Sequence, residues 1–201
     1  MMVNDQNFKT IKMNKTISFI IIFLIGLTAC ENKEQEVDKV AIAKEYYKLL
    51  NTSDYSKIPT LMLDSITTKE LDYSMSYSQT AYIEFLKWDA VFEPEYKILN
   101  MEEENGSVIA TISKQDKRIL FLLEGPSVTN ELISFKDNKI ATVAITGYVS
   151  FDDSVFSKNR TKFLNWMEEH HPEINGFLQD QSEQGGKKYL KAIELYQAAN
   201  N

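Results

Sequence analysis

Few residues in this chain have types and spacing that suit chemistry. The only thiol is Cys30, and the only imidazoles are the adjacent pair His170-His171. A thiolate is a nucleophile and a soft metal ligand. A structural zinc site takes about four Cys or His donors, however, and no further Cys or His is present to complete one. Adjacent helical side chains point about 100° apart, so His170 and His171 cannot chelate one ion alone. They read as a solvated helix end, where imidazolium is favoured by the terminal carbonyls. The acidic runs Glu102-Glu103-Glu104 and Asp152-Asp153 lack the alternating-ligand loop, glycine turn and distal glutamate of a calcium site. The first run precedes Asn105-Gly106 and reads as a hairpin tip. No Walker loop, dinucleotide fingerprint or serine elbow occurs. Gly185-Gly186-Lys187-Lys188 is too short to cradle phosphate and reads as a helix start. These patterns call for no metal and no cofactor.

What positions Cys30 is the leader before it. Ile17 to Leu27 is an 11-residue apolar run, preceded by Lys12 and Lys15 and followed by small residues, the three-part layout of a secretory signal. At about 1.5 Å per residue it spans roughly half of a ~30 Å hydrocarbon core, too little for a permanent transmembrane helix. Leu27-Thr28-Ala29-Cys30 resembles the lipobox of bacterial lipoproteins. That resemblance implies cleavage between Ala29 and Cys30, diacylglyceryl transfer to the Cys30 sulfur, and N-acylation of the new terminus. Each buried methylene contributes about 0.8 kcal/mol, so two or three chains anchor firmly where one does not. It also implies export and lipid anchoring to the cell envelope, at the outer face of the inner membrane or at the outer membrane. Met13 begins a leader of more ordinary proportions than Met1 does. Glu31 to Glu36 is polar and reads as a tether.

From Cys30 to Asn201 there are 172 residues, with 19 basic against 28 acidic, a formal charge of −9. This is one ordinary domain. Its charge repels phosphate and anionic headgroups with no basic cluster to offset it, so nucleic acid is excluded as a partner. With one cysteine, no intramolecular disulfide forms, and the fold relies on its core.

Periodicity then divides the mature chain. Val40, Ala43, Tyr47 and Leu50 recur at helical spacing, with Ile42, Tyr46 and Leu49 widening the face. Asn51 to Asp54 ends this helix and caps a second, short one carrying Ile58, Leu61 and Met62, which Pro59 limits. Ser65 to Ser78 carries no clear period. A third helix runs from Gln79 to Trp88. Two hairpins follow, one around Asn105-Gly106 and one around Lys136 to Lys139. Between them, Lys117 to Glu124 fits a strand or a short helix. Lys162 to His170 and Lys187 to Ala199 are helical again.

Three helices followed by antiparallel strands predict an α+β roll. Ala43 to Leu50 with Asn51-Thr52-Ser53-Asp54, and the hairpin Ser127 to Ile145, are similar to the first helix and turn and the final hairpin of the nuclear transport factor two-like superfamily. The resemblance implies N-terminal helices packed in a curved antiparallel sheet, a cone, over residues 37–150. Residues 1–29 are the signal peptide, 30–36 the lipidated cysteine and tether, and 151–201 a helical extension packed on the same domain. It also implies a cavity, which in ketosteroid-isomerase-like members pairs a first-helix tyrosine with carboxyl groups. Tyr47 matches such a tyrosine; Asp64, Asp72 and Glu131 are the available carboxylates, and no spacing selects among them. The aromatic residues Tyr46, Tyr82, Trp88 and Trp166 read as core that would line any cavity. The leading expectation is a membrane-tethered domain that binds a small apolar molecule or another protein. The alternatives are an isomerase, hydratase or hydrolase acting inside the cone, and an assembly module pairing two copies through the sheet.

Overall fold

A computed structural model describes residues 37–174 and 176–200. The signal, the lipobox Leu27 to Cys30 and the tether to Glu36 lie outside the described residues. Helix α1, Lys39–Thr52, begins where the Asp38 carboxylate accepts from the Ala41 N–H at 2.8 Å and ends at Ser53 in the left-handed region. Ala43, Tyr46, Tyr47 and Leu50 are buried along it, the i, i+3, i+4, i+7 stripe of a core-facing helix. Asp54 caps a 3-10 turn, Tyr55–Lys57. Helix α2, Ile58–Leu61, carries its proline at the start, where a missing N–H costs nothing.

Met62 does not continue α2 but opens strand β1, Met62–Glu70, which pairs with β2, Tyr73–Ser78. The stretch without a clear period is therefore a hairpin, placed before the third helix rather than after it. Only Met62 and Ile66 of β1 are buried, four residues apart, so no inward alternation marks the strand. The usable signal lay in β2, where Tyr73, Met75 and Tyr77 alternate with serines.

Helix α3, Gln79–Ala90, follows with Ser78 as its cap. Strands β3, Glu95–Glu104, and β4, Ser107–Gln115, turn at Asn105 and Gly106, both at positive φ, as a type I′ turn requires. Lys117–Leu123 is helix α4, capped by Asp116, whose Oδ1 accepts from the Ile119 N–H at 2.5 Å. Strands β5, Ser127–Lys136, and β6, Lys139–Ser150, form the second expected hairpin.

The six strands make one sheet in the order β2-β1-β6-β5-β4-β3. Every pairing is antiparallel except β1 with β6, which is parallel, so the α+β roll has a mixed sheet. Register shifts interrupt β1/β6, β3/β4 and β5/β6, and such bulges bend strands. The curved inner face packs Val108, Ala110, Ile112, Ile133 and Ile140 against α1 and α3.

A second cluster joins Trp88 and Phe92, at the end of α3, to Phe163 and Met167 of helix α5, Asp153–His170, and to Tyr189, Ala192 and Ile193 of helix α6, Glu183–Asn200. Helix α5 starts nine residues before the expected Lys162, because Asp152 caps it through the Val155 N–H. Close packing of α6 depends on its glycines. A Cβ on Gly185 would lie 1.9 Å from the Asp180 carbonyl oxygen, and one on Gly186 would lie 3.0 Å from that of Trp88. Among the described residues no helix is long and apolar enough to cross a membrane.

Candidate functional site

The inner sheet face, α1, α3 and α4 enclose a cavity of about 500 Å³, within the size range of small-molecule pockets. Its wall is largely aromatic and aliphatic, including Tyr77, Phe85, Trp88, Ile145, Phe151 and Phe156. Polar groupings interrupt it, among them the Tyr148–Glu70 pair near the β1–β6 edge and two deeper ones.

The first deeper grouping joins α1 to β5. Strand β5 buries Ser127, Thr129, Glu131 and Ile133 at alternate positions, so the strand period aims Glu131 inward. The Tyr47 hydroxyl donates to Glu131 Oε2 at 2.7 Å, and Thr129 Oγ1 donates to Oε1 at 2.8 Å. Burial pushes the Glu131 carboxyl above its usual range, although the Tyr47 and Thr129 donors and Lys114 work against the shift. Burial also raises the Tyr47 hydroxyl well above a free phenol, reinforced by the Glu131 charge. Tyr47 therefore keeps its proton and acts as a donor. Beside it, the Tyr46 and Tyr82 hydroxyls meet at 2.6 Å.

The second grouping spans α3, β3, β4 and α4. Asp89 Oδ1 accepts from Lys114 Nζ at 2.6 Å, and Oδ2 accepts from the Tyr96 hydroxyl at 2.7 Å. Burial works to raise the Asp89 carboxyl, but Lys114 and Arg118 outweigh it and hold the group below the usual range. Two carboxyls in one cavity are thus driven in opposite directions, Asp89 toward the anion and Glu131 toward the acid. Such a separation divides acid and base roles where chemistry occurs. Arg118 lies over the Trp88 ring at 5.1 Å and the Phe92 ring at 5.4 Å.

Of the residues singled out by sequence, Tyr47 and Glu131 are brought together across 84 positions. Asp72 is not part of the site. It occupies the β1–β2 turn in solvent, as Asp64 does on β1, because the unread stretch is a hairpin at the edge of the sheet. His170 Nδ1 donates to the Trp166 carbonyl oxygen of its own helix end, 3.0 Å away. Glu102 to Glu104 are exposed at the end of β3, next to the hairpin tip. Among the described residues no group of three or more His, Cys, Asp or Glu is arranged to hold a metal ion.

Sequence reasoning missed Asp89, Tyr96, Lys114, Arg118 and Thr129. A signal existed for two of them. Asp89 continues the buried stripe Tyr82-Leu86 of α3, and Lys114 shares strand parity with Val108, Ala110 and Ile112.

No family model matches the chain, and no curated protein matches it. Solved structures similar to it include an NTF2-like protein of unknown function from Cytophaga hutchinsonii, with TM-score 0.46 and 11% identity over 57% of this chain and 93% of that one. An uncharacterized cystatin fold protein from Novosphingobium aromaticivorans has TM-score 0.47 and 13% identity over 57% of this chain and 99% of that one. The epoxide hydrolase/cyclase-like enzyme SalBIII, described in pyran ring formation in polyether salinomycin, has TM-score 0.45 and 15% identity over 53% of this chain and 88% of that one. The α+β roll stands on this chain's own strand order and packing, and these likenesses supply neither an activity nor a substrate.

Proposed function

We propose that this protein is a lipid-tethered binding domain whose cavity receives a small, largely apolar molecule. The observation that carries the reading is the cavity of about 500 Å³, walled mainly by aromatic and aliphatic side chains with polar groups set among them, the composition expected of a small-molecule site. Both oxygens of Glu131 and both of Asp89 accept internal hydrogen bonds, so these two carboxyls hold their places without a ligand. The tether is supported by the lipobox resemblance of Leu27-Thr28-Ala29-Cys30, which favours a position at the bacterial cell envelope.

The test is a titration of the full chain in lipid nanodiscs with the neutral probe N-phenyl-1-naphthylamine, with empty nanodiscs as the blank. Saturable one-to-one binding that is lost when Ile145→Trp fills the cavity supports the reading. Binding that survives the filling, or no saturable binding, overturns it.

A second reading is favoured by one specific observation, the 2.7 Å Tyr47–Glu131 pair. A protonatable carboxyl beside a phenol donor suits proton transfer in an isomerase, hydratase or hydrolase. Conversion of apolar ketones, enals or epoxides by the full chain, falling about 100-fold or more in Glu131→Gln, supports turnover. No conversion leaves binding alone.

A further inference from the structure

We propose that the cavity selects ligands bearing a carboxylate, held by the Arg118 guanidinium, with the ligand's apolar body against the aromatic wall. This inference deepens the binding reading above and rests on it.

Arg118 lines the cavity, and its side chain is about a quarter exposed. A guanidinium carries five N–H donors in a planar fork that fits a carboxylate. Here its one hydrogen bond among the described residues is from Nη2 to Asp116 Oδ2, at a long 3.5 Å. The other oxygen of Asp116 is committed to capping α4 through the Ile119 N–H. Arg118 Nε is buried and finds no acceptor among the described residues, and neither does Trp88 Nε1 on the ring beneath it. A buried donor without a partner is costly, and a cation held over Trp88 and Phe92 is only partly compensated by the ring faces. The guanidinium therefore has donor capacity left for an incoming oxygen anion.

The other charges around the fork leave room for an anion. Asp89 pairs first with Lys114, at 2.6 Å, Asp116 reaches Arg118 only at 3.5 Å and is shared with Lys114 at 3.8 Å, burial drives Glu131 toward its neutral acid, and Glu70 is engaged by the Tyr148 hydroxyl. Aromatic surface on the remaining wall, from Tyr77 and Phe85 to Phe151 and Phe156, asks for an apolar body rather than a second charge. The ligand class is then an apolar monocarboxylic acid, not a phosphorylated or zwitterionic metabolite.

The experiment compares matched pairs, decanoate with decan-1-ol and 2-naphthoate with 2-naphthylmethanol, by competition against N-phenyl-1-naphthylamine on the full chain in nanodiscs. The acids are expected to displace the probe about tenfold more tightly than their alcohols, or better. In Arg118→Gln that preference should collapse to about twofold or less, with Arg118→Lys between the two because it keeps charge but not the fork. Equal displacement by acids and alcohols would overturn the carboxylate proposal while leaving the binding reading intact. Displacement by neither would also overturn the carboxylate proposal, whereas absence of saturable probe binding would overturn the binding reading. A preference unchanged in folded Arg118→Gln would remove Arg118 from the role. If Arg118→Gln fails to fold, the acid–alcohol comparison on the unmodified chain and the Arg118→Lys variant decide.

Discussion

Tyr47 on α1 donates a 2.7 Å hydrogen bond to Glu131 on β5, closing the first helix onto the inner face of the sheet. The bond ties the helix to the strand and opposes the burial that raises the Glu131 carboxyl. Replacing Tyr47 by Phe removes one donor from a buried carboxyl, which should cost about 1 kcal/mol and raise the Glu131 carboxyl further. Chemical denaturation and carboxyl titration by NMR measure the two effects; an unchanged Glu131 titration would remove Tyr47 as its partner.

The pH dependence has a definite sign. Glu131 is raised in the folded protein, so its contribution to stability is full below the unfolded pKa and is lost as pH rises through the folded value. Glu131→Gln keeps an acceptor for Tyr47 and removes the buried charge. The variant should melt no lower than the unmodified chain at pH 7 and should show a flatter fall in Tm above the ordinary carboxyl range. A steeper fall in the variant would refute the assignment.

Asp89 behaves oppositely. Its folded pKa is depressed, so its contribution is present above the unfolded pKa and is lost as pH falls through the folded value. Lys114→Met strands this carboxylate, with Tyr96 and Arg118 still near. Breaking a wholly buried pair costs about 3–5 kcal/mol; with the Lys114 side chain 21% exposed, a loss of about 2–3 kcal/mol is expected. Urea unfolding at pH 7 measures it, and a loss under about 0.5 kcal/mol, within the range of ordinary surface changes, would show that the pair is not structural.

Helix α6 is held by close backbone approach. Gly185→Ala places a methyl group 1.9 Å from the Asp180 carbonyl oxygen, which demands a shift and should cost about 1–3 kcal/mol. Thermal melts of this variant beside Gly125→Ala, whose Cβ would meet nothing within 4 Å, isolate the steric contribution. Equal melts for the two would contradict it.

For the tether, Cys30→Ala should abolish incorporation of labelled palmitate and release the chain from the membrane fraction. Labelling that persists in this variant would remove the lipoprotein reading.

How much of this was legible in the sequence depended on where each residue stood. The α1 stripe, the two turns with consecutive positive-φ residues and the capped helices are local signals, and the elements follow them. The β1–β2 hairpin escaped because β1 buries only Met62 and Ile66, while Ser65 is exposed and Thr67 and Thr68 are half-buried. Whether Lys117 to Glu124 was strand or helix was decided by the cap at Asp116, since its apolar residues suit both. Tyr47 was legible as a cavity residue once the first helix was placed, but its partner was not. Glu131, Asp72 and Asp64 are chemically alike, and only strand pairing separates the inward Glu131 from the two in solvent. Arg118 could not be read at all, because its meaning depends on Trp88, Phe92 and Asp116 reaching it from different parts of the wall.

The binding role requires above all that a small apolar molecule resides in the cavity. Isotope-filtered NOE spectroscopy on the full chain in nanodiscs with 2-naphthylmethanol tests this most directly. Contacts from the probe to ring protons of Tyr47, Phe85 and Trp88, which line the cavity, are the expected result. Contacts confined to the exposed side chains Leu99 and Val149, or none above the empty-nanodisc blank, would contradict it.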